Sequence, residues 1–166
     1  MKGVFGTRSQ FGQEDLAAVA NLDMDLGGDG RRSILVAVDG NESSLRAAAY
    51  AAGLARRQGL RLVVLYVHTM GVFASTTEGI HAMRVANAEA ACALRVEMDR
   101  QAAALGIDIV VVERKGGPYL ETLRLAGQLR VDAVVMGGGR NFGFHLFGSP
   151  VSRLVRDARC PVTVVP

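Results

Sequence analysis

The sequence predicts an α/β protein, a three-layer doubly wound fold built on a five-stranded parallel sheet. From Ser33 onward, short β-branched runs alternate with longer helical patterns, the signature of strands joined by crossover helices. The strand runs are rich in Val and Ile without polar alternation, which implies burial on both faces. The fourth run breaks into three consecutive glycines and later reaches a Gly-Ser, the kind of strand end at which open parallel sheets hold ligands.

The chain has 166 residues, 49% of them hydrophobic, which suffices for one domain with a single buried core. Residues 1–30 differ in texture and end in DMDLGGDG, whose glycines and acids read as a linker. The expected organisation is therefore an extension over 1–30 and a domain over 31–166. Within the extension, Leu16, Val19, Ala20 and Leu22 can form an apolar helical stripe that docks on the body or a partner, and a solvated tail is the alternative. Asp23, Asp25 and Gly28 do not make a calcium loop, because its bidentate Glu would fall on Ile34.

The first strand is expected over Ile34 to Val38. Asn41 is a good N-cap for the first helix, with Leu45, Ala48, Ala49, Ala52 and Ala55 as its buried stripe up to Gly59. The second strand is Leu62 to Val67. A long helix then places Met83, Ala86, Ala90, Leu94, Met98 and Leu105 on one face and stops at Gly106, with the methionines as core filler. The third strand is Ile107 to Val112. Pro118 suits the first position of the third helix, which carries Leu120, Leu123 and Ala126 inward. The fourth strand, Ala133 to Met136, runs into the glycines, the fourth helix begins just after Gly148, and Val162 to Val165 closes the sheet.

Composition narrows the function. The formal charge is only +3, and 17 of the 19 basic residues are scattered arginines with no basic stripe interleaved with aromatics, so nucleic acid is not an expected partner. No apolar run is long enough to cross a bilayer and residues 1–30 lack a signal-peptide core, so no membrane partner is expected and the cytoplasm is the expected location. Cys92 and Cys160 have no second thiol or histidine at metal-ligand spacing and read as buried free thiols, with no metal site.

The stretch VVMGGGRNFGFHLFGS, residues 134–149, carries most of the chemistry. Glycines let a ligand approach the backbone, and N–H groups in a glycine turn and at a helix N-terminus make an anion cradle. Asp39 ends the first strand, and Gly137 to Gly139 end the fourth. If these strands are neighbours across the switch point, both groups face one crevice, where Asp39 can accept from a ribose hydroxyl or an adenine amine. The other reading of Asp39 is that it shapes the turn with Gly40. Ser43, Ser44, Ser149 and Ser152 are explained as caps or loop donors, with no His–Asp pair to make any of them a nucleophile. His68 can approach the same crevice, although an isolated His there is more often structural, and His81 has no visible partner. No catalytic residue emerges, which leaves at most slow ATP hydrolysis or autophosphorylation.

Taken together, ILVAVDGNESS, ERKGGPYLETL, DAVVMGGGR, FGS and the closing ARCPVTVVP resemble the universal stress protein family over about residues 31–166. The resemblance implies the strand order 3-2-1-4-5 of the adenine nucleotide alpha hydrolase-like fold. It also implies an ATP site, with Mg2+ accompanying the nucleotide, in which Ala37, Val38, Asp39 and Val67 surround the nucleoside. Met136, Gly137, Gly148 and Ser149 would complete it, with Gly139 and Arg140 in the loop and Val151 at the start of the following helix. A homodimer that pairs the last strands, Val162 to Val165, is implied as well, and an apolar strand at a sheet edge argues the same on physical grounds. A regulatory protein partner would complete the mechanism.

Two departures bear on that site. The family pattern spaces its glycines by two residues and then nine, whereas Gly137 to Gly148 spans eleven positions where the family has thirteen. Arg140 stands where the second glycine belongs, and Gly139 can substitute in a shifted register. Pro150 follows Ser149 and removes one backbone donor, a loss of about 1.5–3 kcal/mol or about tenfold to a hundredfold in affinity, which Arg140 and His145 can offset. Two readings follow. One is a cytoplasmic, ATP-binding, homodimeric regulator of the stress response, and the other is an interaction module of the same family that does not bind nucleotide. A flavin or dinucleotide enzyme would need an early G-x-G-x-x-G, which the first strand lacks.

Overall fold

Continuous apolar strands are stable only when both faces are covered, and the architecture follows from that requirement. The computed structural model describes residues 30–68, 77–138 and 150–166. Its strands are β1 (Ser33–Val38), β2 (Arg61–His68), β3 (Ile109–Lys115), β4 (Ala133–Gly137) and β5 (Val162–Val165). All pair in parallel, in the order β3-β2-β1-β4-β5. The helices are α1 (Glu42–Gln58), α2 (Thr77–Leu105), α3 (Pro118–Leu129) and α4 (Pro150–Asp157). Side chains alternate between faces along each strand. Ile34, Val36, Val38, Leu62, Val64 and Tyr66 pack with α1 and α2. Leu35, Val63, Leu65, Val67, Val134 and Met136 pack with α3 and α4 on the other side.

Helix α1 starts and stops as its sequence dictates. The Asn41 side chain accepts from the Ser44 N–H, and Gly59 closes the helix in the left-handed region at φ 65°. Its buried face is Ser43, Ser44, Ala47, Ala48, Ala51, Ala52 and Ala55, so the expected stripe is corrected at two positions. Leu45 and Ala49 point outward. The cause is close approach: a Cβ added to Gly137 at the end of β4 would lie 2.6 Å from the Ser43 carbonyl carbon. Only small residues fit on the face that meets the sheet there.

Three other elements also depart from expectation. β3 begins at Ile109 and runs to Lys115, instead of Ile107 to Val112, because it pairs with β2 from Leu62, opposite Ile109, to His68, opposite Lys115. As an outer strand it tolerates the charged run Glu113, Arg114, Lys115. In α2 only Ala91, Leu94 and Met98 are buried, while Ala86 and Ala90 are exposed and Met83 and Leu105 are partly buried. In α3, Leu120 is exposed and Glu121, Thr122, Leu125 and Ala126 are buried. The two polar residues are tolerated inside because the Thr122 hydroxyl donates to the Pro118 carbonyl at 2.7 Å and Arg124 donates to Glu121 at 2.6 Å.

The cysteines are also corrected. Cys92 is exposed, and only Cys160 is partly buried, its thiol pushed up from the ordinary range by burial.

At the amino edge of the sheet, charges join distant parts of the chain. Asp108 accepts from Arg31 at 2.9 Å and Arg61 at 2.8 Å, and Asp132 accepts from Arg32 at 2.7 Å and from the Ser33 N–H at 3.1 Å. Arg31, Arg32, Arg56 and Arg61 line an open cleft there of about 560 Å³.

Candidate functional site

Strand order reverses between β1 and β4. The helix that follows β1 packs on one face of the sheet and the helix that follows β4 packs on the other, so the chain parts at the carboxyl ends of these neighbours. Such a parting is where open α/β sheets hold ligands.

The expected residues fall in different places. Ala37 lies in register with Met136 across the parting. By strand alternation, Ala37, Val67 and Met136 share one face of the sheet, and Val67, Met136 and Val151 belong to one buried cluster with Leu154. These four residues make an apolar wall. Val38 is buried in the opposite cluster, against α1. Gly139, Arg140, Gly148 and Ser149, together with His145, lie outside the described residues.

Asp39 is turned onto its own neighbours. Its Oδ1 accepts from the Asn41 N–H at 3.1 Å and its Oδ2 from the Asn41 side-chain amide at 2.7 Å. Asn41 Oδ1 in turn accepts from the Ser44 N–H and the Ser43 hydroxyl, both at 2.8 Å. The Ser44 hydroxyl donates to the Asn41 carbonyl at 2.9 Å and accepts from the Asp39 N–H at 3.3 Å. Gly40, at φ 85°, provides the left-handed bend that this turn needs.

The first two loop glycines also serve the fold. The missing Cβ of Gly137 makes room for the first turn of α1. The Gly138 N–H donates to the Val165 carbonyl at 2.7 Å, which commits that amide to β5. Between α3 and α4, the Tyr119 hydroxyl donates to Asp157 at 2.6 Å and the Arg153 guanidinium lies 4.4 Å from the centre of the Tyr119 ring. These contacts seat α4 against α3.

On the α1 and α2 side of the same edge, His68, which the sequence brings to the end of the second strand, joins a polar cluster whose other members sequence reasoning did not name. His68 Nε2 lies 2.9 Å from Glu113 Oε2, and Arg95 donates to Glu113 Oε1 through Nε at 2.9 Å and Nη2 at 2.7 Å. The His68 ring meets Tyr66 edge-on, with centroids 4.9 Å apart. Burial works against the charge of Glu113, yet the hydrogen bonds from Arg95 and His68 outweigh it and hold this carboxyl below its usual range. The Tyr66 hydroxyl is pushed up by burial first, then by the negative charges of Glu113 and Asp39. The only sequence signal was the alternation of Tyr66 and His68 along a strand. Their partners could not be read, because Glu113 is 45 positions from His68.

The sequence matches the universal stress protein family over residues 30–166. The chain belongs to the universal stress protein family. A universal stress protein of Methanocaldococcus jannaschii is 28% identical to it over 139 residues, which cover 81% of each chain. The structure of universal stress protein UspA from Lactobacillus plantarum superposes with a TM-score of 0.69 at 25% identity, over 82% of this chain and 98% of that one. A universal stress protein solved in complex with cAMP superposes with a TM-score of 0.60 at 24% identity, over 82% of this chain and 97% of its own. Among the described residues of this universal stress protein, no three His, Cys, Asp or Glu side chains gather to hold a metal ion. No described helix is long and apolar enough to cross a membrane.

Proposed function

We propose that this universal stress protein binds an adenine nucleotide, ATP with its Mg2+, at the carboxyl ends of β1 and β4. In this reading it acts in the cytoplasm as a homodimeric regulator of the stress response. The observation that carries the reading is the apolar wall of Ala37, Val67, Met136 and Val151 beside a strand end that leads through glycines to the N-terminus of α4. The wall suits the face of a purine, and a glycine loop before a helix suits phosphates. The fold-level likeness to a protein solved with cAMP supports the ligand class. Bound nucleotide would act on partners through the 137–149 loop.

A second reading is favoured by specific contacts. Gly137 is needed by α1, the Gly138 amide is given to β5, and Pro150 has no N–H to offer. Those facts suit an interaction module that does not bind nucleotide. Denaturing protein purified without added ligand separates the two. Adenine absorbance near one equivalent per chain supports binding, whereas its absence, together with a flat ATP titration, overturns it. Gly148→Val should abolish binding with the apo melting temperature nearly unchanged. For the dimer, the valines of β5 are all partly exposed in the single chain and β5 is an outer strand. Light scattering should report a dimer for the unmodified protein and a monomer or precipitate for Val164→Lys.

A further inference from the structure

We propose that the arginine-lined cleft at the amino edge of the sheet is the docking site of this chain's own acidic segment, residues 21–29, which binds it in cis. The cleft lies at the opposite edge of the sheet from the candidate nucleotide site. Arg31, Arg32, Arg56 and Arg61 line it.

Positive charge is in excess there. Four guanidinium groups meet two carboxylates, Asp108 bonded to Arg31 and Arg61 and Asp132 bonded to Arg32, so two positive charges are left over. Arg56 is exposed and has no carboxylate partner among the described residues. Part of the surplus suits the carbonyl ends of α1 and α2, which close at Gly59 and Gly106 beside the cleft. At about half a charge each, two helix ends offer about one negative charge, which is less than the surplus.

The complementary charge is in the sequence. Residues 1–29 hold two bases, Lys2 and Arg8, and five acids, Glu14, Asp15, Asp23, Asp25 and Asp29, a net charge of −3. The whole chain is +3, so residues 30–166 carry +6. From residue 9 to residue 29 there is no base at all. Within that stretch Leu22, Met24 and Leu26 alternate with Asp23 and Asp25. In an extended segment, side chains two positions apart share a face, so one face offers both carboxylates to the guanidinium groups.

Reach favours the chain's own segment over a second copy. Asp23 is seven residues before Gly30, a span of up to about 24 Å. Gly27, Gly28 and Gly30 lie between it and Arg31, and Gly30 bends in the left-handed region at φ 63°. A short flexible tether gives an effective concentration in the millimolar range, at which weak surface ion pairs suffice.

Disulfide trapping in the full chain tests this. With Cys92 and Cys160 changed to serine, Leu26→Cys is paired either with Gln58→Cys in the cleft or with Glu42→Cys at the other end of α1, both exposed. The two α1 positions are about 24 Å apart at about 1.5 Å per residue. Mass spectrometry after mild oxidation should show the intrachain disulfide forming faster at the cleft. The tether alone gives some preference, so the decisive variant is Asp23→Lys with Asp25→Lys, which keeps the tether and reverses its charge. The ratio of the two trapping rates cancels any effect of the lysines on thiol reactivity. That ratio should fall about fivefold or more, the value of two exposed ion pairs, and adding Arg56→Glu should recover part of it. A ratio that ignores the charge reversal, or disulfides that form only between chains, overturns the proposal. An unchanged ratio together with an Arg56-dependent rise in melting temperature on adding inorganic phosphate overturns it too, and assigns the cleft to a free anion.

Discussion

At the amino edge of the sheet, Asp108 ties Arg31 to Arg61 and Asp132 ties Arg32, joining residues 47 to 100 positions apart. At the carboxyl end of β1, Asp39, Asn41, Ser43 and Ser44 hydrogen-bond to one another, two to five positions apart. Long-range ion pairs knit the amino side into one body. At the carboxyl side, the turn after β1 is shaped instead by local hydrogen bonds. Strands that begin in a stitched edge hold their ends in register, and a rigid frame is what a binding site on loops requires.

The contrast can be broken experimentally. The largest effect is expected from Gly137→Val, because the new side chain meets the Ser43 and Ser44 backbone at 2.6–2.8 Å. Backbone cannot swing aside as a side chain can, so the loss should reach about 3 kcal/mol or more in urea denaturation, or the chain should fail to fold. A stable Gly137→Val protein would mean that α1 does not need the close approach.

Next comes Asp108→Ala at the stitched edge. It removes one carboxylate partner from each of two arginines, one of them Arg61 with a side chain only 10% exposed, while Asp108 itself is 43% exposed. The intermediate burial sets the loss at about 2 kcal/mol, between an exposed and a buried pair, with nucleotide affinity unchanged. Changed affinity would show that the two edges are coupled. Asn41→Ala should cost about 1 kcal/mol by removing the N-cap, and it also takes from the Asp39 carboxylate the bond at Oδ2, while the backbone N–H at position 41 still reaches Oδ1. If Asp39 only shapes the turn, nucleotide affinity should not rise in that variant.

The smallest effect is a pH slope. The folded-state carboxyl of Glu113 titrates below its unfolded value, so its contribution to stability is present above the ordinary glutamate range and is lost as the pH falls through the lowered value. The midpoint of urea unfolding should therefore decline below about pH 4.5, the usual Glu range, and the decline should be shallower in Glu113→Gln.

Much of this was legible in the residues themselves. Asn41, Gly59 and Pro118 are local signals with local causes, and each stands where its chemistry places it. The parallel sheet was legible because its strands are apolar throughout. Which face of a helix is buried was less legible, since that depends on what lies opposite. Leu45 yields to Ala47 and Ala51 because β4 comes too close for a large side chain, and Leu120 yields to Thr122 because a hydroxyl can bond its own helix. For α2, the methionine and alanine spacing suggested one long buried stripe, yet the first half of the helix is largely exposed. In the candidate site, Ala37, Val67, Met136 and Val151 were named through the resemblance to the family, and the structure brings Val67, Met136 and Val151 into one buried cluster. The His68, Glu113 and Arg95 cluster could not be read, because it is assembled across two strands and a helix.

The Gly138 bond to β5 and the buried seat of Val151 and Leu154 bear on the short glycine loop. Both anchor points of the 139–149 segment are set by the body of the protein: one by a backbone hydrogen bond, the other by packing. The two anchors belong to the body of the protein rather than to the segment they hold. A change within 139–149 therefore leaves both attachments, the bond to β5 and the seat of α4, in place.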